Sequence, residues 1–86
     1  NANRYILIVV SYIYLMRYEV IFKDKPAAMA IAKKVKSHLG NQNRIEDLQK
    51  VRTTHYTIEF EGEYILAYIE KIAQDMRARY NVAVLK

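Results

Sequence analysis

The chain is 86 residues long, and only Pro26, Gly40 and Gly62 are proline or glycine, where an average chain of this length would carry about ten. That shortage excludes collagen-like, linker-like and many-turned all-β architectures, because tight hairpins ordinarily need glycine or asparagine at positive φ. A 52% apolar fraction beside 27% charged residues argues against disorder, and the formal charge of +5 resides in residues 1–43, since 44–86 carry seven basic and seven acidic residues.

Asn1-Ala2 resembles the remnant of a cleaved tag and is set aside, so a single α+β domain is expected over 3–86, a length that suits one domain. Residues 4–23 read as β structure, rich in Val, Ile, Tyr and Phe. The even positions, Ile6, Ile8, Val10, Tyr12, Tyr14, Met16, Tyr18, Val20 and Phe22, are apolar or aromatic throughout. The odd positions turn polar only after Leu15, at Arg17, Glu19 and Lys23 around Ile21. As one straight strand this stretch would span about 65 Å, against about 30 Å for the diameter of a compact domain of this length. It therefore bends near Ser11 or Arg17, or residues 3–16 form an extended arm that reaches another chain. The apolar run 5–16 is twelve residues, interrupted by Ser11. It is too short to cross a bilayer, and no membrane association is expected.

Asp24 and Pro26 announce a helix to about Leu39, with the apolar stripe Ala28, Ile31, Ala32, Val35 and Leu39. Gly40-Asn41 is the expected left-handed stop. Residues 44–51 fit either a short helix or an edge strand. Residues 53–61 read as one strand, with Tyr56, Ile58 and Phe60 on one face and His55, Thr57, Glu59 and Glu61 on the other. Gly62 ends it. A second helix is expected over 63–80, with the stripe Ile65, Tyr68, Ile69, Ile72, Met76 and Tyr80, then Asn81 and a last strand over 82–85. With 44–51 as a strand, the order from residue 18 is β-α-β-β-α-β. The expected fold is thus α+β and ferredoxin-like (split βαβ). Two helices would cover one face of a mainly antiparallel sheet, with a long N-terminal strand segment in addition.

Lys33, Lys34 and Lys36 lie off the apolar stripe, and Lys23 and Lys25 precede them. Such a face could neutralise phosphates, with Arg44 and Arg52 extending it, although a solvated helix surface is the simpler account. The eight tyrosines suggest base stacking on an open sheet. The sequence pattern of an RNA-recognition module is missing, however, so the rings read more simply as core or interface. His38 and His55, with Arg52 and Glu59, are the parts of a metal-independent ribonuclease site, without a spacing that requires one. Zero cysteine removes disulfides and thiolate zinc sites. That suits a reducing cytoplasm, the expected location. No dinucleotide or phosphate loop motif occurs, and neither a cofactor nor a metal is expected.

The excess apolar surface of 4–16 carries the functional expectation. Two helices cover only one sheet face, so burying both faces of this segment calls for a further partner. The expectation is a non-enzymatic interaction or regulatory domain that homodimerises through Ile6, Ile8, Val10, Tyr12 and Tyr14. The domains of a parent protein would be its other partners. Nucleic-acid binding through Lys23, Lys25, Lys33, Lys34, Lys36, Arg44 and Arg52 is the alternative, and a ribonuclease toxin the third reading.

Overall fold

The structure, a computed structural model, describes residues 16–85. All of the expected 3–16 arm but Met16, including the interface residues Ile6, Ile8, Val10, Tyr12 and Tyr14, lies outside the described residues. Strand β1, Arg17–Phe22, has the expected alternation: Tyr18, Val20 and Phe22 are buried, while Arg17 and Glu19 are half-buried and Ile21 is exposed on the other face. Helix α1, Lys25–Asn41, follows. Asp24 stands at its N-cap in extended conformation without a side-chain cap bond, and its carbonyl accepts the Ala28 N–H at 3.1 Å. The buried stripe is the expected one with Ala27 added.

Gly40-Asn41 does not stop α1. The helix runs through both, and Asn43 takes the left-handed conformation, φ 57°. Its N–H bonds to the Gly40 carbonyl at 3.0 Å, and the Arg44 N–H bonds to the Leu39 carbonyl at 2.9 Å. This is a Schellman closure. Residues 45–49 form a short helix, α2 (Ile45–Gln49), rather than a strand. The second strand comes instead from 52–61, so the stretch 53–61 is no single strand. Residues 52–61 fold into a hairpin of β2 (Arg52–Thr53) and β3 (Thr57–Glu61). The turn uses no glycine and no positive φ. The Thr54 N–H bonds to the Thr57 carbonyl at 2.9 Å, and the two threonine hydroxyls bond to each other. Ile58 and Phe60 are fully buried as expected, but Tyr56 falls in the turn and is 47% exposed. Its carbonyl serves the sheet, accepting the Phe22 N–H at 2.7 Å.

Helix α3, Glu63–Asp75, ends well before Tyr80. Arg77 at φ 57° closes it. The Arg77 N–H bonds to the Gln74 carbonyl at 3.1 Å, and the Ala78 N–H bonds to the Ala73 carbonyl at 2.8 Å. The chain thus makes its second Schellman closure without glycine. Met76 is left exposed rather than in the stripe. Tyr80 and Asn81 belong to the last strand, β4 (Tyr80–Leu85), because Tyr80 pairs in register with Phe22 and Asn81 with Ile21.

The sheet order is β2-β3-β1-β4, every neighbouring pair antiparallel. β3 separates β1 from β2 and β1 separates β3 from β4, so the two βαβ units interleave. This is the split βαβ, ferredoxin-like plan in an α+β domain. Tyr18, Val20, Phe22, Ile58 and Phe60 meet Ile31, Val35, Leu39, Ile65 and Ile69 in one core under the helices. The Tyr18 and Phe60 rings stack at 5.8 Å.

Candidate interaction surfaces

Every charged residue on the solvent face of α1 is a lysine, and the exposed Met29 and Ser37 lie among them. Lys25, Lys33, Lys34 and Lys36 are exposed, and the helix contains no Asp or Glu. Lys23, just before it, is exposed too. Among the described residues none of these five lysines forms an ion pair. The Lys36 Nζ reaches the Thr53 hydroxyl at 3.5 Å. Lys33 and Lys34 border an open groove of about 520 Å³ between α1 and α3, floored by Tyr68 and Ile72. His38 stacks on Tyr68 there, with ring centroids 4.2 Å apart and 13° between planes.

The other basic residues of the expected patch serve elsewhere. The Arg44 guanidinium lies over the Tyr64 ring at 4.3 Å and pairs with Asp47 at 3.7 Å. The Tyr64 hydroxyl donates to the same carboxylate at 2.5 Å. Burial first, then this hydrogen bond and the negative charge of Asp47, push the Tyr64 hydroxyl up to about 12. The cluster ties α2 to α3, which is why 44–51 coils against the domain instead of joining the sheet. Arg52 is opposite Glu59 in the β2–β3 register and so occupies the sheet face away from α1. It lines a separate cleft with Arg17, Lys50 and Glu59.

That open sheet face carries Arg17, Glu19 and Ile21 from β1, Thr57, Glu59 and Glu61 from β3, and Asn81, Ala83 and Leu85 from β4. No aromatic side chain stands among them. Glu19 and Glu59 are directly opposite each other, and Arg17 offsets the repulsion at 3.8 Å from Glu59. A surface of three carboxylates without rings does not stack bases. The described tyrosines lie elsewhere: Tyr18 in the core, Tyr56 in the β2–β3 turn, Tyr80 tilted against Phe22 at 6.2 Å, Tyr64 and Tyr68 on α3. The histidines line no common groove: His38 stacks on Tyr68 between α1 and α3, and His55, in the β2–β3 turn, is not part of that lining. Among the described residues no group of three metal-ligating side chains converges, and no helix is long and apolar enough to cross a membrane.

The sheet edges differ. β2 is two residues long and includes Arg52, whereas β4 is six residues long and contains no charge. Sequence reasoning missed β4 as a surface. Its signal was the uncharged run 80–85, but burial could not be separated from exposure without the strand order. No family model matches the chain, and comparison with curated proteins and with solved structures likewise found no match.

Proposed function

We propose that the chain is a non-enzymatic interaction domain that homodimerises through its apolar N-terminal segment, with Ile6, Ile8, Val10, Tyr12 and Tyr14 in the interface. The observation that supports this reading is the position of β1. Both its neighbours are taken, by β3 and β4, and its helix-side face is already covered by α1 and α3. β1 itself therefore has no free edge and no uncovered helix-side face for the apolar side chains that precede it. Sedimentation velocity at micromolar concentration tests it. The expected species has twice the 10.2 kDa chain mass, and a stable, well-folded monomer overturns the reading.

The unpaired lysines of α1 favour a second reading, nucleic-acid binding through Lys33, Lys34 and Lys36. It predicts affinity for unrelated sequences that falls steeply with salt. Fluorescence anisotropy of labelled oligonucleotides checks it, and a flat response at low salt disposes of it.

A further inference from the structure

β4 has one side bonded to β1 and one side free. The Lys23 N–H bonds to the Arg79 carbonyl at 3.2 Å, which sets the phase of the β1–β4 ladder. Hydrogen bonding alternates along an antiparallel pair, so Asn81, Ala83 and Leu85 turn their backbone groups to β1. Tyr80, Val82 and Val84 turn theirs outward. The far side of β1 keeps the complementary phase, since the Gly62 N–H bonds to the Met16 carbonyl at 3.0 Å.

The outward side is unguarded. β4 contains no charged residue and no proline, the usual devices that keep an edge from pairing. Its side chains are unfinished business for the core as well. Val82 lies in the same layer as Val20 and Ile58, and Val84 in the layer of Tyr18 and Phe60. The β1 and β3 members of those layers are at most 7% exposed, whereas Val82 is 38% and Val84 48% exposed. Each apolar layer stops one strand short of cover.

We propose that β4 receives residues 5–15 of a second copy of this chain as a fifth strand. The inference rests on the dimer reading above and names its docking site. The chain enters β1 at Arg17, directly opposite Leu85 at the end of β4. To lie on the outer side of its own β4, the preceding segment would have to turn around that end within the apolar run 5–15, in which Ser11 is the one usual turn former. A second copy needs no such turn. Eleven residues extend over about 36 Å and the six of β4 over about 20 Å, which leaves length to cross between copies. The segment carries no charge, so nothing ionic is buried against a neutral edge. Its two apolar faces match an edge with Val82 and Val84 on one face and Ala83 and Leu85 on the other. Exchange of one segment in each direction closes the assembly under two-fold symmetry.

Sedimentation velocity on the 86-residue chain, on Val84→Lys and on Val82→Pro tests the proposal. The unmodified chain is expected at twice the single-chain mass, and both variants at the single-chain mass with an unchanged far-UV spectrum. Lysine at 84 replaces an exposed side chain, and proline at 82 removes an outward N–H, which an edge strand tolerates. A dimer that both variants leave intact overturns the β4 site while the dimer reading stands. An unmodified chain that is monomeric overturns both. Amide exchange of the unmodified dimer gives a readout independent of the variants. The N–H groups of Tyr80, Val82 and Val84 are expected to exchange about 100-fold or more slowly than free amides, and rapid exchange there overturns the site.

Discussion

Gly40 and Gly62 stand in opposite backbone regimes. Gly62 has φ 109° and ψ 132° at the entrance to α3, a region that essentially only glycine occupies. Gly62→Ala is expected to cost about 1–3 kcal/mol. Gly40 is inside α1, and a Cβ there would meet nothing within 4 Å. Gly40→Ala should therefore stabilise by about 0.5–1 kcal/mol. Thermal unfolding of the two variants checks the opposite signs, at about 4–8 °C for each kcal/mol in a domain of this size. Tyr64 carries a pH-dependent prediction. Its hydroxyl is held protonated to about 12 in the fold, against an ordinary value of 10.0. The unfolded chain thus loses this proton first, and the contribution is full below pH 10 and lost as pH rises towards 12. Tyr64→Phe removes the bond to Asp47 at a cost of about 1 kcal/mol at neutral pH. Denaturant titrations of both proteins from pH 8 to 12 should show this difference shrinking above pH 10.

The elements explain how so few glycines suffice. Both long helices close in Schellman geometry on non-glycine residues, Asn43 and Arg77. Asparagine tolerates the left-handed region because its short side chain bonds locally, whereas arginine bears the steric cost of about 1–2 kcal/mol. Arg77→Gly should stabilise by about 0.5–1 kcal/mol after the greater freedom of unfolded glycine is subtracted. Chemical denaturation reads that gain as a higher midpoint with an unchanged slope. The β2–β3 turn is a second economy, held by Thr54 and Thr57. Residues 53–61 were expected as one strand, and their reversal was invisible in sequence because the residues are β-branched or aromatic on both sides of the turn and include none of the usual turn formers. By contrast, the faces of β1 and the stripe of α1 were legible, since Tyr18, Val20, Phe22, Ile31, Val35 and Leu39 recur at the strand and helix periods.

At the scale of the molecule, one core joins the helices to the central strands, with Ile69 fully buried in it. Ile69→Ala should cost about 2–5 kcal/mol. Because the described residues share a single core, far-UV dichroism and tyrosine fluorescence should still unfold together, and separate transitions would show that α3 melts alone. The candidate surfaces were only partly legible. The α1 lysines could be assigned to one solvent face from spacing, because a helix stripe fixes its own opposite side. Arg44 and Arg52 could not, since one is drawn to Tyr64 and Asp47 and the other is placed by its pairing with Glu59.

The sequence by itself determined what depends on near neighbours: the α+β class, the buried alternation of 18–22, the helix stripes and the cationic face of α1. Periodicity is local, so these follow from side-chain spacing alone. Only the tertiary structure decided what depends on distant partners. The second strand comes from Arg52–Thr53 rather than 44–51, α3 stops at Asp75 so that Tyr80 can pair with Phe22, and β4 lies at a free edge. Each is a choice between cross-strand partners far apart in the chain, and the stability of each pairing exists only once both strands are in place.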